Sequence, residues 1–219
     1  MSVSANLKNI INDIPASVKL IAVSKKKSVE HILEAYAAGQ RMFGENYIQE
    51  LTEKYSKLPK DIEWHAIGHL QSNKVKYIAP FVSLIHGVES LKLLTEINKQ
   101  AIKNNRIINC LLQIHIAEEE SKFGFSFEEC DALLNSGEIN KLQNVSIKGL
   151  MGMATNTDDT EKVRKEFRSL KTFFDKLKIY THQNIALEHL SMGMSNDYKI
   201  AIEEGSNMVR IGSLIFGER

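Results

Sequence analysis

Val18-Lys-Leu-Ile-Ala-Val-Ser-Lys25 is a short apolar run rich in β-branched residues, the pattern of a buried strand. The change of period just after it decides the fold. From about Ser28 the spacing becomes that of a helix, with Ile32, Leu33 and Tyr36 on one face, and Gly39 ends it. The same strand-then-helix sequence recurs along the chain. The second strand is Arg41 to Asn46, with a helix to about Lys57. The third is Glu63 to His69, with a short helix through Lys74 and Tyr77. The fourth is Val82 to Val88, and its helix from Ser90 to about Asn104 begins on a capping serine. The fifth is Ile107 to Ile116, with a helix from about Ser126 to Asn135. The sixth is Val145 to Met153, with a long charged helix from about Asp158 to Leu177. The seventh is Ile185 to Leu190, with a helix from about Asn196 to Glu204. The eighth is Met208 to Phe216, and its closing helix is nearly absent.

Strict alternation of strand and helix implies a parallel sheet with crossover helices, and eight units imply closure. The predicted fold class is therefore α/β, a single (β/α)8 TIM barrel. It spans about residues 18–217 and comes after an N-terminal helix over about 4–13. A doubly wound open sheet is the competing architecture. It would carry a Gly-rich dinucleotide turn after the first strand, and none is found there.

Composition narrows the function. The 219 residues are 43% hydrophobic and 25% charged, ordinary for a soluble globular protein. The 28 basic and 27 acidic residues leave a net charge of +1, so no strong field for nucleic acid or an acidic membrane is implied. No stretch reaches the roughly 18 apolar residues of a membrane span, and the N-terminus has no signal-peptide pattern. Two cysteines, Cys110 and Cys130, are too few for a disulfide framework and are read as reduced thiols of a cytoplasmic protein.

In a barrel, chemistry sits at the C-terminal ends of the strands. The first strand ends in Ser24-Lys25, the second in Gly44-Glu45-Asn46. His65 and His69 share one face of the third by the period-two rule. The seventh runs into Ser191-Met-Gly-Met-Ser195, and the eighth carries Arg210, Gly212 and Ser213. A partly desolvated lysine loses some preference for its charged form, and a neutral amine attacks an aldehyde to form an imine. From spacing alone, the plainer reading of Lys25 is favoured: a strand-end lysine reaching solvent beside Lys26 and Lys27. The loop from Ser191 to Ser195 suits phosphate through exposed N–H groups and hydroxyls, with Gly212-Ser213 as a second set. The loop alone also reads as a helix-entry turn with core methionines. Spacing leaves open whether Arg210 faces the lumen. His65 and His69 read as barrel-lining histidines, with metal chelation as the rival.

The residues Ala22-Val-Ser-Lys25, Phe43-Gly-Glu-Asn-Tyr47, Trp64 to Lys74, Gly149-Leu-Met-Gly-Met153, Leu190 to Ser195 and Val209 to Gly217 together resemble the pyridoxal-phosphate homeostasis protein family. The resemblance covers essentially the whole chain, in order. It implies a barrel like the N-terminal domain of alanine racemase, with pyridoxal 5′-phosphate (PLP) held as a Schiff base on Lys25. It further implies phosphate contacts from Ser191, Gly193, Ser195, Gly212 and Ser213, with Arg210 at the ring nitrogen and Asn46, His65 and Met151 lining the ring. Lys122, in Ser121-Lys-Phe-Gly124, matches a family position and is expected as a secondary basic contact. Ser213 stands where the family often has Thr, which keeps the hydroxyl.

The resemblance implies a carrier in vitamin B6 balance, with PLP-dependent apoenzymes as recipients, rather than an enzyme. Physical chemistry agrees. An arginine at the ring nitrogen opposes its protonation and makes a weaker electron sink. The chain is expected to lack the β domain that completes a racemase site, which leaves an open, wet site with carbanions poorly stabilised. A monomer is expected on the same ground. A slow amino-acid racemase using Lys25 as a base is the alternative.

Overall fold

The structure, a computed structural model, describes residues 2–119, 123–180 and 182–218. Helix α1 (Val3–Asp13) precedes β1 (Lys19–Val23), α2 (Val29–Ala37), β2 (Met42–Glu45), α3 (Ile48–Lys57), β3 (Glu63–Ala66) and α4 (Val75–Ile78). Next come β4 (Leu84–Val88), α5 (Leu91–Lys103), β5 (Ile108–Ile114), α6 (Phe127–Asn135), β6 (Val145–Gly152) and α7 (Thr160–Leu177). The chain closes with β7 (Ile185–Ser191), α8 (Tyr198–Glu203), β8 (Met208–Ile211) and α9 (Ser213–Phe216). The strands pair in parallel in chain order, and β8 returns to β1, so the sheet is a closed barrel. The expected (β/α)8 barrel is the architecture found.

Local signals account for the helix starts. Ser90 caps α5 by accepting from the Leu93 N–H, and Ser126 with Glu129 forms a capping box on α6. Burial then divides in two. The main core lies between sheet and helices: Phe43, Trp64, Ile85 and Cys110 face outward from their strands onto residues such as Leu51, Ile97 and Phe167. A second cluster of Ile21, Leu84, Leu111, Met151 and Met208 fills the barrel lumen. Alternate strand residues serve the two cores, which is why the strands read as continuous apolar runs.

Two boundaries depart from expectation. Strand β3 stops at Ala66, so His69 does not share a strand face with His65. Beyond it the chain crosses over Asn46 so closely that a Cβ on Gly68 would lie 2.6 Å from the Asn46 carbonyl oxygen. Strand β8 stops at Ile211, and the last part of the expected strand is the helical turn α9.

Candidate functional site

The rim at the C-terminal ends of the strands brings together residues far apart in sequence. Pairing of Ala22 with Ile211 and of Val23 with Gly44 sets Lys25 between Gly212 on one side and Asn46 on the other. Lys25 is half-buried, in a turn closed by the Lys27 N–H on the Ser24 carbonyl at 3.0 Å. Next round the rim, the Gly212 N–H donates to the Ser195 hydroxyl oxygen at 3.3 Å and joins the last two loops. The N–H groups of Ser195, Asn196, Ser213 and Leu214 take no backbone acceptor among the described residues. Such converging donors suit an anion. Gly193 is held at φ 96°, where a Cβ would lie 2.6 Å from that of Ala201, so only glycine fits this loop as built.

Below the rim a buried polar chain crosses the lumen. Arg210 is buried and turns inward. Its guanidinium donates to the Ser191 carbonyl at 2.8 Å, the Ser191 hydroxyl at 2.6 Å and the Gly152 carbonyl at 3.0 Å. Burial lowers its pKa to about 10, so it stays charged at neutral pH. The Ser191 oxygen lies 3.1 Å from His86 Nδ1, and His86 Nε2 lies 2.9 Å from His65 Nδ1. Arginine only donates, so Ser191 accepts from it. Two proton arrangements satisfy these distances, Ser191 donating to His86 and His86 to His65, or both in reverse, and in either one His65 Nε2 has no partner among the described residues. Burial pushes His65 down to about 3 and His86 well below its ordinary value, so both rings are neutral.

These contacts show where the expected residues lie. Ser191 is the last residue of β7 and its hydroxyl is bonded to Arg210 and His86. His65 and Met151 are buried in the lumen, Met151 within its apolar cluster, so they form a floor beneath the rim. The open position of Arg210 is resolved: it faces inward. His86 was missed, although Leu84-Ile-His86 sets it on the same strand face as Leu84 by alternation.

A carboxylate with no expected role in the site lies behind Lys25. Glu45 is fully buried at the end of β2 and accepts from the Ser24 hydroxyl at 2.6 Å and from Lys54 at 2.7 Å. Loss of hydration outweighs Lys54 and raises its pKa to about 7. A lysine three residues from Leu51 on the buried face of α3 was the available signal.

Metal chelation finds no support. His69 sits in the loop after β3, bound to Glu89 at 3.0 Å and stacked on Phe123. Among the described residues no group of three His, Cys, Asp or Glu side chains is arranged to hold a metal ion. Lys122 lies outside the described residues. At the opposite mouth, Lys19, Glu63, His65, Asn109, Lys148 and His189 line a cavity of about 180 Å³. Among the described residues no helix is long and apolar enough to cross a membrane.

Known proteins resemble this chain in sequence and fold. The chain matches the family described as alanine racemase, N-terminal domain, over residues 2–219. A pyridoxal phosphate homeostasis protein of Aquifex aeolicus is 44% identical over 202 residues, covering 92% of this chain and 87% of the relative. One from Helicobacter pylori is 41% identical over 204 residues, covering 92% and 88%. Among solved structures, PipY of Synechococcus elongatus with PLP bound has a TM-score of 0.89 at 34% identity, over 99% of this chain and 100% of that one. An alanine racemase of Clostridium difficile has a TM-score of 0.79 at 18% identity, over 100% of this chain and 57% of that one, a likeness of fold alone.

Proposed function

Because this chain belongs to the pyridoxal phosphate homeostasis protein family, we propose that it holds PLP as a Schiff base on Lys25 and buffers or delivers it. The observation that carries the reading is the convergence of Lys25 with two loops joined through Ser195 and Gly212. The residues present fit the group. The amine takes the aldehyde carbon. The N–H groups of Ser195, Asn196, Ser213 and Leu214, with the Ser195 and Ser213 hydroxyls, take a phosphate. The buried cation of Arg210 would face the ring nitrogen and oppose its protonation. Asn46, just after β2, would flank the ring, and Gly193 would let the loop backbone approach the phosphate. Ser191 holds Arg210, His86 is bonded to Ser191 in turn, and Met151 in the lumen cluster would lie beneath the ring. When bound, PLP supplies an electrophilic carbonyl and an electron sink, and an unprotonated ring keeps that sink weak.

The reading extends to a monomer in the cytoplasm whose recipients are PLP-dependent apoenzymes. It is supported by a near-neutral net charge and by Cys110 and Cys130, which are buried thiols. The test is an absorbance titration with PLP, then borohydride reduction and peptide mass mapping, wild type beside Lys25→Ala. A long-wavelength band and an adduct on Lys25, both lost in the variant, are expected. An equal adduct elsewhere in Lys25→Ala sinks the assignment.

A further inference from the structure

The backbone around Lys25 is gripped from one neighbouring helix. Lys54 on α3 donates to the Ser24 carbonyl at 2.7 Å, which belongs to the peptide bond before Lys25. Glu50, one turn earlier on the same helix, accepts from the Lys26 N–H at 2.6 Å, which belongs to the peptide bond after Lys25. Lys54 also donates to Glu50 at 2.7 Å, and to Glu45, which in turn accepts from the Ser24 side chain. Both peptide groups of Lys25 are thus tied to one ion-pair network.

The turn is one that a chain does not choose freely. Lys26 sits at φ 61°, in the left-handed region that side chains with a Cβ avoid. Such a conformation persists only where its surroundings over-determine it, and it is found where a site must be pre-organised. Glu50 supplies that constraint at the Lys26 N–H itself. A second tie acts from the other side: Lys27 donates to the Phe216, Gly217 and Glu218 carbonyls, at 3.1, 2.9 and 3.0 Å, at the end of α9.

A buried lysine is costly to desolvate, and removing one partner of such a pair leaves an unpaired charge. Lys54 has only 7% of its side chain exposed. Its ammonium is matched by two carboxylates and one carbonyl, the last of them on the Lys25 turn. We propose that Glu50 and Lys54 are positioning residues that fix the Lys25 backbone so that its amine is presented to the incoming aldehyde. This rests on the proposed role of Lys25 and adds two residues that touch neither aldehyde nor phosphate.

The test uses cofactor-free full-length protein: wild type, Glu50→Gln, Glu50→Ala and Lys54→Met. Pyridoxal without its phosphate, trapped by cyanoborohydride, reads Lys25 presentation separately from the phosphate loops. Hydrogen exchange at the Lys26 amide reads the tie directly, and urea midpoints report the fold. Glu50→Ala is expected to slow Lys25 labelling by about tenfold, within the range that small misplacements cost, and to lose Lys26 protection. Glu50→Gln, which keeps an acceptor oxygen, is expected to restore both, whereas loss of fold stability alone would not produce that pattern. Wild-type labelling rates in both Glu50→Ala and Lys54→Met would overturn the positioning role and leave the Lys25 assignment intact. Absence of any Lys25 adduct in the wild type would overturn both.

Discussion

Glu45 offers a quantitative test of the network behind Lys25. Its carboxyl titrates at about 7 in the fold, against an ordinary 4.5. A raised carboxylate pKa means that the folded state holds the proton more tightly than the unfolded chain. The stabilisation is therefore full below the unfolded value and is lost as pH rises through the folded one. Between pH 5 and pH 8 the loss is about 2.5 kcal/mol from this group. The histidines act oppositely. His65 and His86 are held neutral, so below their ordinary 6.5 they favour the unfolded chain. The wild-type curve is the sum, and a difference against a variant isolates the carboxyl. Glu45→Gln keeps an oxygen for Ser24 and Lys54 but does not titrate. Urea unfolding at pH 5, 6, 7 and 8 is expected to show the stability gap between variant and wild type shifting in the variant's favour by about 2.5 kcal/mol across the range. Parallel curves would refute the reasoning and show that the Lys54 ion pair, at 2.7 Å, outweighs burial.

Three further outcomes are expected. Ile21→Ala, in the lumen cluster, costs about 3 kcal/mol by loss of burial and the cavity left behind, read as a lower urea midpoint at unchanged slope. Gly193→Ala forces a Cβ against Ala201 and strains a backbone held at φ 96°, so PLP affinity drops by at least about tenfold with the barrel still folded by circular dichroism; equal affinity would remove the loop from the phosphate site. The ring resonances of His65 and His86 stay fixed from pH 8 to pH 5 in heteronuclear spectra, and a midpoint near 6.5 for either would show the lumen chain to be solvated.

Much of the site was legible because its residues lie where local rules place them. Lys25 ends an apolar strand, and Ser195 and Gly212 lie in glycine-bearing turns after the last strands, so barrel geometry alone predicts their common rim. Lys54 and Glu50 were harder to read, the spacing of Lys54 from Leu51 being the one signal. An exposed-looking Glu-Lys pair spaced four apart reads as solvated helix surface, and only the packing of α3 against the first turn makes it a buried tie. His86 was readable by alternation but carried no motif to distinguish it from core packing.

Sequence by itself determined the order and period of the elements, and through them the closed parallel barrel, because hydrophobic spacing and caps are properties of neighbouring residues. It also determined that lysine, hydroxyls and glycines gather at one end. Tertiary structure alone decided which hydroxyl does what. Ser191 and Ser195 are four residues apart in one loop motif, yet the first turns into the lumen to hold Arg210 and the second bridges to Gly212. That division depends on where β7 ends against β8, and strand ends are set by long-range contacts that no local pattern records.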